Sequence, residues 1–140
     1  MLTMHPYLSF NGNAREATTF YQEVFGGKLT VSTFGEYGAD GMPPEGVMHA
    51  ELATDHFVLY ASDAFTGSAE TWRGQRIALA LMGDEPGTDL ELATRWFDRL
   101  AVDGTIGQPL AEQLWGDVYG QVTDKYGIDW MVDVGQAGQG

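Results

Sequence analysis

Apolar and polar positions along the chain fall into two similar series. Met4-His5-Pro6-Tyr7-Leu8-Ser9-Phe10 alternates enough to predict a strand, with Tyr7 and Ser9 on one side and Leu8 and Phe10 on the other. Asn11-Gly12 breaks it. Asn13 stands as a helix N-cap with Glu16 at capping-box spacing, and Ala17, Phe20, Tyr21 and Val24 make one apolar stripe before Gly26-Gly27 stops the helix. Lys28 to Phe34 is rich in Leu, Thr, Val and Phe and predicts a strand, and Gly35 to Gly46, with Pro43-Pro44, predicts an exposed loop. Val47 to Leu52 and Phe57 to Ala61, joined by a turn around Thr54-Asp55, predict a hairpin.

The series then starts again. Gln75 to Met82 predicts a strand, Gly83 to Gly87 an interruption, and Thr88 with Glu91 a second capping box opening a helix whose buried face carries Leu92, Trp96 and Leu100. Beyond Gly104 and Gly107, the segment through Pro109-Leu110 leads into a strand over Val118 to Val122. Asp124-Lys125-Tyr126-Gly127 predicts a turn, and Ile128 to Val134 a closing strand. Two copies of one strand-helix-strands unit imply a single α+β domain over residues 1–140, with module one at about 4–61 and module two at about 75–134. Ser62 to Gly74 has no period and connects the halves.

Composition narrows the classes of function. Twenty acidic against seven basic residues give a net charge of −13, a field that repels nucleic acid and anionic membrane surfaces and attracts cations. Neither nucleic-acid nor membrane binding is expected. With no cysteine, thiol nucleophiles, disulfides and thiolate metal sites are excluded. The first residues carry no basic segment followed by an apolar run, so a cytoplasmic protein is expected.

Candidate chemistry lies in few places. His49 and Glu51 are two apart in a strand and share a face. Trp115, Tyr119, Tyr126 and Trp130 crowd the last strands beside Glu112 and Asp117, where a cation or a planar organic molecule could be received. Glu36, Tyr37 and Asp40 lie in the Gly/Pro loop, and Arg76 opens the second series, where it could hold a carboxylate or pair with an acid. No serine-histidine-acid arrangement and no phosphate loop is legible, and no catalytic residue is assigned.

The segments Pro6-Tyr7-Leu8-Ser9-Phe10-Asn11-Gly12-Asn13-Ala14, Phe20-Tyr21-x-x-Val24-Phe25-Gly26-Gly27 and Val47-Met48-His49-Ala50-Glu51-Leu52 resemble the PhnB-like branch of the glyoxalase/bleomycin-resistance/dioxygenase superfamily. Trp115-Gly116-Asp117-x-Tyr119-Gly120 and Thr123-Asp124-Lys125-Tyr126-Gly127-Ile128-x-Trp130 extend the resemblance, which spans roughly residues 4 to 134. It implies paired βαβββ modules with mixed, curved sheets around a cleft, often completed in a homodimer. In the superfamily's metalloenzymes the cleft holds a divalent ion, and the ligand positions carry over to His5 or Pro6, to Arg76 or Ile77, and to the neighbourhood of Met131.

Ile77 and Met131 supply no hard ligand, whereas such an ion needs three or four nitrogen or carboxylate donors at about 2.0–2.2 Å. Among the three histidines, His5, His49 and His56, the fragment with most to offer a metal is His49 with Glu51. The expectation is therefore a small-molecule binding protein with no catalytic metal or other cofactor, taking a cationic or aromatic organic ligand. Its pocket is expected to be lined by His49, Glu51, Trp115 and Tyr119. A divergent metal-dependent lyase, isomerase or dioxygenase and a dimeric interaction module stand as alternatives.

Overall fold

The computed structural model describes residues 3–39, 41–64 and 77–135. It forms two compact units, Met1–Trp72 and Arg73–Gly140. The first contains β1 (Tyr7–Phe10), α1 (Ala14–Phe25), β2 (Lys28–Thr33), β3 (Val47–Ala53) and β4 (Val58–Asp63). The second contains β5 (Leu79–Gly83), α2 (Thr88–Leu100), β6 (Thr105–Glu112), β7 (Val118–Thr123) and β8 (Asp129–Val134). The repeat read from the sequence is thus a repeat of topology: strand order β1-β4-β3-β2 in one sheet and β5-β8-β7-β6 in the other. In each sheet the first strand runs parallel to the last and the other pairings are antiparallel, the mixed α+β arrangement expected.

In module one, α1 buries Ala17, Phe20, Tyr21 and Val24 against a sheet face built from Ala50, Leu52, Leu59 and Ala61. Large side chains on this face contribute about 1.5–3 kcal/mol each when fully buried. The helix stops at two residues of positive φ, Gly26 (76°) and Gly27 (91°). At Gly27 a Cβ would also collide with the carbonyl oxygen of Ala53, so only glycine allows β2 to start this close to the end of β3.

The helix starts differ from expectation. Asn13 occupies the N-cap position of α1, but its side chain makes no capping bond, and the Asn13/Glu16 capping box does not form. The cap comes from Asp63 at the end of β4. Its Oδ1 accepts from the N–H groups of Gly12 (2.9 Å) and Ala14 (2.9 Å), and its Oδ2 from that of Val47 (2.9 Å), in a site where the residue is 3% exposed. A carboxylate held by the sheet offers acceptors to several N–H groups at once, which the asparagine could not. In α2 the N-cap is Gly87, with Thr88 already inside the helix and its hydroxyl donating to Glu85 Oε2 at 3.1 Å. Asp89 Oδ2 accepts from the N–H groups of Asp84 (3.1 Å) and Glu85 (3.0 Å) in place of a Thr88/Glu91 box.

The buried face of α2 is also turned by one position. Ala93, Phe97 and Leu100 are buried, while Leu92 and Trp96 are only half-buried. The reason lies in the sheet below, where Gly120 leaves room for the Phe97 ring: a Cβ there would sit 2.9 Å from Phe97 Cε2. β6 is a strand that glycine and proline content concealed. It is an edge strand, with register irregularities between Ile106 and Gln108 and between Gln108 and Ala111, and Pro109 falls in the second of these, where no ladder donor is needed. Both opening strands are shorter than their apolar runs; Gln75 and Arg76 lie outside the described residues, and Ile77 precedes β5 and is 80% exposed.

Candidate functional site

β3 decides which way His49 and Glu51 point. Ala50 and Leu52 are buried on the α1 side, so alternation turns His49 and Glu51 to the opposite face, where both are half-buried. Strand register brings Glu51 opposite Tyr60 and Tyr60 beside Tyr7. The rings gather there: His49 and Tyr60 centroids lie 5.2 Å apart, Tyr7 and His49 5.9 Å, and Tyr7 stacks on Tyr60 at 6.2 Å. Tyr7 Oη and His49 Nδ1 share a 3.3 Å hydrogen bond. His5 meets Tyr60 edge-on at 5.3 Å, with its Nε2 hydrogen-bonded to Thr3 Oγ1 at 2.9 Å. This face therefore presents an imidazole, two phenols and a carboxylate, groups suited to hydrogen bonding and to holding a cation against aromatic faces.

Trp115 and Tyr119 belong to module two. Trp115, in the β6–β7 turn, is 57% exposed and rests edge-on against Tyr119 at 6.1 Å. Tyr119 Oη accepts from Gln121 Nε2 at 2.6 Å. Across the ladder from Tyr119 is Asp133, whose carboxyl is held above its ordinary value by burial first, and then by a hydrogen bond to Asp117 and by the Asp117 charge. The Oδ1 of Asp133 is buried without a hydrogen-bond partner.

A concavity of about 220 Å³ lies in the same module, on the face of β7 and β8 that carries Gln121, Thr123, Asp129 and Met131. None of His49, Glu51, Trp115 and Tyr119 is among its lining residues. The sequence reading did not single out Tyr7 and Tyr60, which the structure sets beside His49, nor Gln121, Thr123 and Asp129, which line the concavity. Alternation along each strand was the available signal, but only the pairing register shows which of them are neighbours.

Other expected positions have structural roles. Trp130 is 2% exposed and its Nε1–H donates to Asp124 Oδ2 at 2.9 Å, while Asp124 Oδ1 accepts from the N–H groups of Tyr126 (2.8 Å) and Ile128 (3.1 Å). That indole belongs to the core, and the predicted turn is built on a buried carboxylate. Glu36 is bound into the loop, its Oε2 accepting from Thr33 N–H at 3.4 Å and its own N–H donating to Thr33 Oγ1 at 3.2 Å. Tyr37 is exposed, and Asp40 lies outside the described residues.

Residues 3–132 match the model of the Glyoxalase/Bleomycin resistance protein/Dioxygenase superfamily. The chain belongs to this superfamily. It is similar to protein YjdN of Escherichia coli K12, 32% identical over 95% of this chain and 95% of that one. Among solved structures it is similar to PA1353 from Pseudomonas aeruginosa, with a TM-score of 0.74 and 32% identity over 97% of this chain and 99% of the other. The PhnB protein of Bacillus cereus shares the fold at a TM-score of 0.73 and 24% identity, covering 95% of this chain and 99% of its own. The superfamily resemblance read from the motifs is thus found again in whole-chain comparison.

The superfamily's metal positions fit this chain poorly. Ile77 offers hydrocarbon and Met131 a thioether, Arg76 is outside the described residues, and His5 is engaged with Thr3 and Tyr60. Among the described residues no group of three or more His, Asp or Glu side chains could hold a metal ion. Among them, too, no helix is long and apolar enough to cross a membrane.

Proposed function

We propose that this superfamily member binds a small organic molecule, works without a resident catalytic metal, and acts as a homodimer in the cytoplasm. The observation that carries the reading is the cluster of Tyr7, His49 and Tyr60 beside Glu51 on the sheet face opposite α1. Aromatic faces next to a carboxylate favour a cationic or aromatic ligand, and the net charge of −13 raises the local concentration of such a ligand. A metal-dependent lyase, isomerase or dioxygenase would need a polarising centre, for which the donors at the superfamily's positions are lacking. The homodimer rests on the superfamily resemblance, and a light-scattering mass of one chain at micromolar protein would remove it.

A cationic dye titrated into the protein tests the binding reading, with thermal shift and dye fluorescence as readouts, since a ligand specific for the folded state stabilises it. The expected result is salt-sensitive binding weakened at least tenfold in a His49→Ala, Glu51→Ala double variant that remains folded. Unchanged affinity in that variant would overturn the assignment of this face.

A further inference from the structure

We propose that Asn11 is a latent site of self-modification, deamidation through a succinimide, and that the Asp63 carboxylate keeps it closed in the folded chain by holding the nitrogen that would attack. This role is separate from the ligand reading of the module-one face and needs no ligand. The chain has two asparagines, Asn11 and Asn13, and the residue after each gives its N–H to the same oxygen: Gly12 and Ala14 both donate to Asp63 Oδ1 at 2.9 Å.

Those two nitrogens are the nucleophiles of the reaction. Closure requires the backbone nitrogen after the asparagine to lose its proton and attack the side-chain Cγ. The new N–Cγ bond forms as the Cγ–Nδ2 bond breaks, and Nδ2 leaves as ammonia with a proton from solvent. Water then opens the ring, its hydroxyl adding to one of the two ring carbonyl carbons and a proton returning to the ring nitrogen. Breaking N–Cγ gives aspartate; breaking the bond to the main-chain carbonyl carbon gives isoaspartate. One water is consumed and one ammonia released, with no oxidant or reductant.

Asn11 is the weaker of the two points. Asn11 and Gly12 are both exposed to water, and Gly12 has no Cβ to crowd its nitrogen. The nitrogen after Asn13 belongs to Ala14, fully buried in the first turn of α1, where the Asn13 carbonyl accepts from Ala17 N–H at 3.0 Å. At Asn11 the protection comes from Asp63. A negative nitrogen at Gly12 would form 2.9 Å from a carboxylate that is itself 3% exposed, where like charges repel with little screening. The carboxylate is fixed in turn by Val47 N–H on Oδ2 at 2.9 Å, and the chain before Asn11 by Ala64 N–H on Phe10 O at 2.7 Å. Reaction therefore waits for a local opening that frees Gly12 from Asp63. An isoaspartate would lengthen the main chain by one carbon and set a second carboxylate beside Asp63, so the connection between β1 and α1 would not return to its original bonds.

The test follows conversion in the full chain at mildly alkaline pH, folded and in unfolding urea. Trypsin releases residues 1–15, which contain both asparagines, and mass spectrometry with fragmentation reads the two positions separately. Asn11 is expected to convert at least about tenfold more slowly in the folded chain than in urea, the protection set by local opening. Asp63→Asn, which keeps the shape and removes the charge, is expected to speed conversion at Asn11 several-fold, and Asp89→Ala, which loosens the other helix start, to leave it at the parent rate. Amide exchange at Gly12 in the parent, followed by NMR, is expected to be slowed as conversion is. Equal rates in folded and unfolded chains would overturn the proposal. So would a folded Asp63→Asn variant that converts no faster than the parent, a rate that falls because the carboxylate serves as base, or equal acceleration by Asp89→Ala. Circular dichroism checks that each variant is folded. If Asp63→Asn is not, the parent decides: free exchange at Gly12 with conversion still slow would show that Asp63 is not the guard.

Discussion

The two modules share one topology but secure it by different means. The ladder pairs Phe10 with Asp63 in module one and Gly83 with Val134 in module two. The next residue in each case returns a backbone bond to the opening strand, Ala64 N–H to Phe10 O at 2.7 Å and Gly135 N–H to Gly83 O at 3.0 Å. Val134 therefore stands where Asp63 stands, and it is as buried. In module one this position ties the helix start to the sheet through a carboxylate. In module two it is hydrophobic core, and the helix start is tied locally by Asp89. A repeated fold thus keeps strand order and packing while the polar group that ties down the chain before each helix changes place and burial, because those N–H groups need an acceptor but not one from a fixed position.

The largest expected effect breaks this comparison at its buried anchor. Asp63→Ala removes the acceptor of three N–H groups, two of them in bonds that are fully buried, and is expected to cost on the order of 3 kcal/mol in urea denaturation. Asp89→Ala releases two exposed N–H groups and is expected to cost about 1 kcal/mol. Equal losses from the two changes would mean that burial does not separate the two anchors.

The smallest effect sharpens the contrast between a buried carboxylate and a half-buried one. Asp63 is surrounded by donors, whereas Asp133 faces Asp117 and has an oxygen without a partner. Its raised folded value means that the folded chain holds the proton more tightly than the unfolded one. The stability from this group is present below the ordinary value of 3.8 and is lost as pH rises through the raised folded value. Asp133→Asn is therefore expected to raise the melting temperature at pH 7 by a degree or so, on the order of a small surface-charge effect. The difference should vanish below pH 3.8. A lower melting temperature for the variant at pH 7 would contradict this.

Much of module one was legible because its signals are local. The α1 stripe, the Gly26-Gly27 stop, the hairpin of β3 and β4 and the shared parity of His49 and Glu51 all follow from short-range periodicity. Module two was harder to read. β6 carries Gly107 and Pro109, which local propensity counts against a strand, and the face of α2 depended on a cavity that Gly120 opens from a distant strand. The candidate sites were legible only in part: His49 and Glu51 could be paired by counting along one strand, but Tyr7 and Tyr60 join them only through register across three strands.

By itself the sequence determined the doubled strand-helix-strands order, the superfamily and the acidic field, because these rest on composition, periodicity and motifs within a few residues of one another. The tertiary structure alone decided which carboxylates became buried anchors, that Trp130 is core and Trp115 surface, and that Tyr7 and Tyr60 stand beside His49. Those outcomes turn on side chains far apart in the chain competing for the same N–H groups and the same space, and pairing register, not local pattern, settles that competition.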